Sequence, residues 1–345
     1  MSRTDATLAA EEAELDDAVP TESSAWWARL ATVSSLWIGL ILVGLIVAFS
    51  ILEPSTFLSV DNGRNISTDA AILLVLAVGQ TFVIITAGID LAVGSTLVFA
   101  GVISAKMMHT TGGDNGGTVV VGLISGLVAG GAWGLLNGFL VAKAKITPLI
   151  VTLGTFGMAL GAALVITKGI DEREIPYKLI DGIGTGRVFG QVPWLVVIAL
   201  GVALGFGILL AQTRFGRYTL AIGSNPEAAR RAGIDVDRHL MKVYTLAGVL
   251  AGLAGFLSLA RFGTTTIGGH STDNLQSITA VVIGGTSLFG GIGSILGTVF
   301  GVFIPAVLQN GFVITGVQPF WQQIAVGAVL VAAVYLDQLR RSRNR

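Results

Sequence analysis

The sequence predicts an all-α polytopic membrane protein with about ten spanning helices, some of them broken at Gly-rich segments. Three observations carry that expectation. Of 345 residues, 52% are hydrophobic and 12% charged, where soluble domains carry roughly 25% charged residues. Gly supplies 47 residues, about twice the usual share of roughly 7%. Uncharged stretches of bilayer-crossing length recur along the chain. A single water-soluble core could not hide so much apolar surface. The composition excludes a soluble enzyme, a disordered chain and a nucleic-acid binder. The absence of Cys excludes disulfides, thiolate metal sites and Cys nucleophiles.

A crossing helix needs ~20 predominantly apolar residues, so gaps between charges locate the elements. Residues 1–29 read as an acidic cytoplasmic tail: the first 25 hold seven Asp/Glu and one Lys/Arg, too polar to fold. They lack the basic start and apolar stretch of a secretory leader. Trp26 and Trp27 suit an interfacial belt. The spanning domain is expected over 30–339 and a basic cytoplasmic C-terminus over 340–345. Within the domain, Arg29 and Glu53 bracket 23 uncharged residues, Asp69 and Asp90 20, Asp90 and Lys106 15. Asp114 and Lys143 bracket 28, Lys145 and Lys168 22, Arg187 and Arg214 26, Lys242 and Arg261 18. The 15-residue run spans only if Lys106 snorkels. The run from Asp273 to Asp337 holds 63 residues, room for three helices with breaks at 287–293 and 309–319, where Gly, Pro and amides cluster. Continuous rather than alternating apolarity favours helices over a barrel.

An even count puts both termini on one side. Taking them as cytoplasmic leaves fourteen Lys/Arg inside and seven outside, as the positive-inside rule requires.

Gly122, Gly126, Gly130, Gly134 and Gly138 line one helix face with bare backbone, which lets a neighbour approach closely, within the chain or at a subunit interface. Gly293, Gly297 and Gly301 repeat the device. A weak parallel repeat is also visible. Ser67-Thr68-Asp69 opens the second span, Ser271-Thr272-Asp273 opens the eighth, and each leads to a Gly-rich break.

Two segments stand out. In Thr86-Ala-Gly-Ile-Asp-Leu-Ala-Val-Gly94 an acid lies between flanking glycines, Gly88 and Gly94, amid apolar spans. Asp90 suits an N-cap of the third span, or a place in a solute path, since intramembrane acids are usually functional. In the long basic loop 213–242, Asn225 suits an N-cap, Pro226 the first helical position and Glu227 the helix dipole. Ala228, Ala229, Arg230 and Arg231 follow, Gly233 suits the stop, and Ile234 lies beyond. The expected helix of about two turns, 226–232, is marginal alone in water. It is therefore a docking element or a basic surface loop near anionic lipid. Gln80, Asn137, Thr152, Gln276, Gln309 and Asn310 can bond a polar solute or one another's helices. His109, His239 and His270 show no metal-ligand spacing, and no G-x-x-x-x-G-K-[ST] phosphate loop exists.

Four ordered blocks bear a family likeness. Ala87-Gly-Ile-Asp-Leu-Ala-Val-Gly-Ser95 resembles the G-I-D-L-[S]-V-G signature of ribose-type ATP-binding-cassette importer permeases. Asn137-Gly-Phe-Leu-Val-Ala-Lys143 with Ile146-Thr-Pro-Leu-Ile-Val-Thr-Leu-Gly154 resembles the family's next block. The segment from Phe215 to Ile234 resembles its coupling loop, and Ile283-Gly-Gly-Thr-Ser-Leu-Phe-Gly-Gly-Ile-Gly-Ser294 its late Gly-rich block. Ala92 stands where Ser is common, and the I-x-L-P part of the wider importer loop is absent. The resemblance implies a multi-pass subunit of the bacterial inner membrane that performs no chemical step and pairs with a second permease copy or homologue. It also implies an external sugar-binding protein and a two-cassette cytoplasmic ATPase that holds ATP and Mg, leaving this chain without a cofactor. Residues 226–234 would then be the coupling helix. Importers of branched-chain amino acids or nucleosides, and an ion-driven secondary transporter, are the rival expectations.

Overall fold

A computed structural model describes residues 34–318 except Ser271, together with Trp321, Ile324, Gly327, Ala328, Val331 and Tyr335. The expected acidic tail, the Trp26–Trp27 belt and the basic C-terminus lie outside these residues.

In lipid each backbone polar group must be paired within its own segment, so apolar runs fold as helices. In chain order these are α1 (Ser34–Leu52), α2 (Pro54–Phe57), α3 (Val60–Ile85), α4 (Val93–Thr111), α5 (Gly116–Ala142) and α6 (Pro148–Thr167). A connection with a π-helical turn (Ile180–Gly184) and a two-strand hairpin, β1 (Arg187–Val188) and β2 (Val192–Pro193), leads to α7 (Trp194–Gln212). Then come α8 (Arg214–Ser224), α9 (Pro226–Arg231), α10 (Val236–Phe262), α11 (Asp273–Ile283) and α12 (Ile295–Ile314).

The centre is α3, whose most apolar stretch is 94% buried, with α10 at 78%. α5, α6 and α7 keep only 28%, 28% and 22% covered and present the rest outward, as helices facing hydrocarbon do. The first glycine ladder is internal. Gly126, Gly130 and Gly134 of α5 lie on Gly252 and Gly248 of α10 so tightly that a Cβ at Gly130 or Gly134 would overlap a facing carbonyl. Small residues on both sides substitute dispersion contact for the missing hydrophobic drive.

Six of these helices, α3, α5, α6, α7, α10 and α12, are long and apolar enough to cross a membrane. The expected count of ten is therefore supported only in part among the described residues. α4 extends past Lys106 to 19 residues, and Lys106 pairs with Glu172 rather than simply snorkelling. The expected eighth span is half a span: α11 has 11 residues, about 16 Å at 1.5 Å per residue. The second expected break is displaced, because α12 runs helically through Gln309 and Asn310 and stops at Thr315. The shared Ser-Thr-Asp openings are not equivalent either. Ser59, not Ser67, caps α3 by accepting from Asn62 N–H. Polar Asp61 and Arg64, paired at 2.9 Å, carry that helix nearly three turns further than the apolar run.

Ion pairs mark the two ends of the bundle. Lys145 meets Asp237 at 2.6 Å and Arg230 meets it at 3.8 Å. At the other end Arg261 meets Asp69 at 3.2 Å, and Arg64 Nη2 donates to Gln191 Oε1 at 2.6 Å.

Candidate functional site

Two helix breaks, a short exposed helix and a polar cavity gather most of the chemistry-bearing residues. The first break, 86–92, joins α3 to α4 through a left-handed Ala87 (φ 60°). Its three consecutive carbonyls are each taken by a side chain from a different helix. Thr152 Oγ1 of α6 lies 3.2 Å from Ile89 O and shares its one proton between that carbonyl and Pro148 O at 3.0 Å, while Gln80 Nε2 of α3 donates to Asp90 O at 3.0 Å and Asn274 Nδ2 of α11 to Leu91 O at 3.2 Å. The Asp90 side chain is buried, and its Oδ1 accepts Ala92 N–H at 2.8 Å. This corrects the N-cap expectation. The cap position of α4 is Ala92, which makes no side-chain cap bond, and Asp90 closes the turn before it. Gly88 lies against the Tyr244 hydroxyl, 2.6 Å from where a Cβ would stand. Gly94 lies under His270 O and Asn274 N. Nothing in the sequence singles out Asn274 or Tyr244; an amide in the first turn of a helix and an aromatic in a Gly-rich helix give no local signal.

The second break, 284–294, is held largely by backbone. Ser287 N–H donates to Ile292 O at 3.0 Å and Gly290 N–H to Ser287 O at 3.0 Å. Gly284 and Gly297 face each other so closely that a Cβ on Gly297 would overlap the Gly284 carbonyl. The two breaks touch: Gly291 N–H donates to Ile85 O, the last residue of α3, at 2.8 Å. Gly223, near the end of α8, is wedged into the same junction, where a Cβ would overlap Ile85 O and stand 2.5 Å from Gly291 N.

α9 begins three residues beyond Gly223. Asn225 caps it, its Oδ1 accepting Ala228 N–H at 2.9 Å, and Pro226 takes the first position. Glu227 pairs within the helix with Arg230 at 3.3 Å and Arg231 at 3.4 Å. Gly233, at φ 83°, allows the left-handed turn that ends it. The helix stops at Arg231, one residue short of the expected end. Only Ala229 is buried, in a small cluster with Ile222 and Val236 that Ile234 packs against. The rest of α9 is exposed and projects from the end that carries Lys143, Lys145 and Asp237. α8, which carries Gly223, is a helix the sequence does not announce; Thr213 caps it by accepting Gly216 N–H at 3.3 Å.

At the opposite end a cavity of about 500 Å³ lies between α3, α10, α11 and α12. Gln276, Gln309 and Asn310 line it together with Asp69, Arg261 and Phe262. Asn310 Nδ2 donates to Asn62 Oδ1 at 2.8 Å, while its own Oδ1 is buried with no partner among the described residues. Gln276 Nε2 donates to Thr272 Oγ1 at 3.1 Å. His270 closes one wall, held by Ser258 Oγ at 2.7 Å and Asp273 Oδ2 at 2.7 Å. Its size falls in the ~300–1,000 Å³ range of small-molecule sites. Charged groups, amides and an aromatic ring suit a polar, multi-hydroxyl solute. Asn137 belongs to neither group: it is buried in α5, and its Oδ1 has no partner among the described residues. Among the described residues no cluster of His, Cys, Asp or Glu could hold a metal.

Residues 62–334 match the family model described as branched-chain amino acid transport system / permease component. The D-allose transport system permease protein of Escherichia coli (strain K12) is 33% identical over 328 residues, covering 95% of this chain and 97% of that one. The fructose import permease protein of Rhizobium meliloti is 36% identical over 306 residues, covering 87% and 84%. The ribose import permease protein of Bacillus subtilis (strain 168) is 39% identical over 302 residues, covering 85% and 89%. No solved structure matches the chain.

Proposed function

Because the chain belongs to the branched-chain amino acid transport system / permease component family, we propose that it forms the membrane path for a monosaccharide in an ATP-binding-cassette importer. It is a transport permease and not an enzyme. The relatives named for D-allose, fructose and ribose support a monosaccharide over the branched-chain amino acid of the family description, over a nucleoside, and over an ion-driven exchange. The solute is delivered by an external binding protein, and the energy comes from a separate cytoplasmic ATPase that holds ATP and Mg. A second permease copy or homologue completes the path. We assign both termini and α9 to the cytoplasmic side, because that orientation puts fourteen Lys/Arg inside and seven outside.

The observation that carries the mechanism is the junction at Gly223. α9 stands exposed on one side of it and both helix breaks on the other. A motor that moves α8 and α9 therefore pushes on the ends of α3 and of the 284–294 turn at once. Coupled rigid-body shifts of this kind switch a path between its two openings. The cavity beside Asp69, Gln276 and Gln309 is the external mouth of that path, its amides and ring receiving the sugar.

Deleting 226–233, or Gly233→Pro, leaves membrane insertion intact and abolishes co-purification of the co-expressed ATPase. Co-purification at unaltered yield overturns the docking role of α9.

A further inference from the structure

We propose that the groove between α5, α7 and α10 is a binding site for an anionic phospholipid, with its acyl chain along the groove and its phosphate between Arg238 and Lys242. The groove has a volume of about 630 Å³, and its walls include Leu135, Phe206, Phe215, Leu246 and Val249. Arg238 and Lys242 stand one helical turn apart on α10, both exposed, and both border the groove. Several helices thus wall an apolar trough, and α10 supplies the cationic rim at its end.

The charge argues for a lipid headgroup rather than a partner helix. Arg238 is shared with Asp235 at 3.1 Å. Among the described residues no carboxylate lies within ion-pair distance of Lys242. Docking an apolar helix there would strip water from that ammonium without replacing it, which is costly. A phosphate at the bilayer surface compensates it, and basic pockets between spanning helices on the cytoplasmic side are suited to such headgroups. The rim lies at the end that also carries Lys143, Lys145 and Arg230. The site is separate from the polar cavity and from the exposed face of α9.

The test is native mass spectrometry of the delipidated full-length protein titrated with phosphatidylglycerol or phosphatidylcholine. The unaltered protein retains phosphatidylglycerol in preference. R238Q/K242Q melts as the native protein does and loses roughly thirtyfold in phosphatidylglycerol retention, as expected for two surface cations. V249W, which fills the trough and leaves both cations in place, also lowers retention. Equal retention of the two lipids by the unaltered protein overturns the proposal, as does undiminished phosphatidylglycerol retention in either variant. Efficient V249C–V249C cross-linking between two copies in the membrane also overturns it, because the trough then belongs to a protein interface.

Discussion

The two helix breaks do the same geometric work with different chemistry. The 86–92 break is secured by side chains: Thr152, Gln80 and Asn274 each cover one carbonyl, and Asp90 covers an amide. The 284–294 break is secured by close backbone approach, with Gly284 against Gly297 and Gly291 on Ile85. The side-chain solution is adjustable, since each bond can be lost singly. The glycine solution is steric and tolerates no added atom. Where irregular backbone is buried in a membrane protein, its polar groups must be satisfied by one route or the other.

The largest effect is expected of Gly297→Leu, where a side chain would enter the Gly284 carbonyl. Overpacking typically costs 1–3 kcal/mol and occasionally more. Because this contact is backbone on backbone, the loss is placed at about 3 kcal/mol or above, read as lost monodisperse yield in detergent. Near-native yield would show that the second break is looser than described. Next in size is Asp90→Ala, which leaves the Ala92 N–H buried and unpaired, a penalty of about 1–3 kcal/mol. Thermal melting in detergent should fall for Asp90→Ala and stay close to native for Asp90→Asn, which keeps an acceptor. Unchanged melting with lost uptake would move Asp90 from structure to solute path. Smaller again are Thr152→Val and Asn274→Ala, each costing about 1 kcal/mol and adding nearly independently if the three carbonyl bonds are separate. Smallest is Tyr244→Phe. The buried hydroxyl has no hydrogen-bond partner among the described residues, so removing it should leave melting unchanged or slightly raised.

The same contrast explains what the sequence reveals. An acid in an apolar run, as at Asp90, is visible because its desolvation must be compensated somewhere. Asn225-Pro226-Glu227 with Gly233 is visible because capping is local chemistry. The glycine spacing of α5 shows that a close neighbour exists, and only the fold identifies it as α10. What stays hidden is non-local. Asn274 acts 183 residues away from Leu91, and Gly223 gains its importance from Ile85 and Gly291, which share no pattern with it. Counting charges misplaces a helix end where polar residues are still helical, as at Asp61–Arg64 in α3, and reading amides as a break does the same at Gln309–Asn310 in α12. It also reads the 11-residue α11 as a full span, because apolar length alone cannot distinguish a half-helix followed by a buried turn from a crossing.

The proposed mechanism requires α9 to face the cytoplasm and meet the motor there. The chain contains no Cys, so single-Cys reporters are unambiguous. Phe189, 97% exposed in the hairpin at the far end, and Ala228 on α9 are the informative pair. With a membrane-impermeant maleimide on intact spheroplasts, Phe189→Cys should label at once. Ala228→Cys should label only after permeabilisation, and then be shielded by the bound ATPase. Labelling of Ala228→Cys from outside would contradict the account.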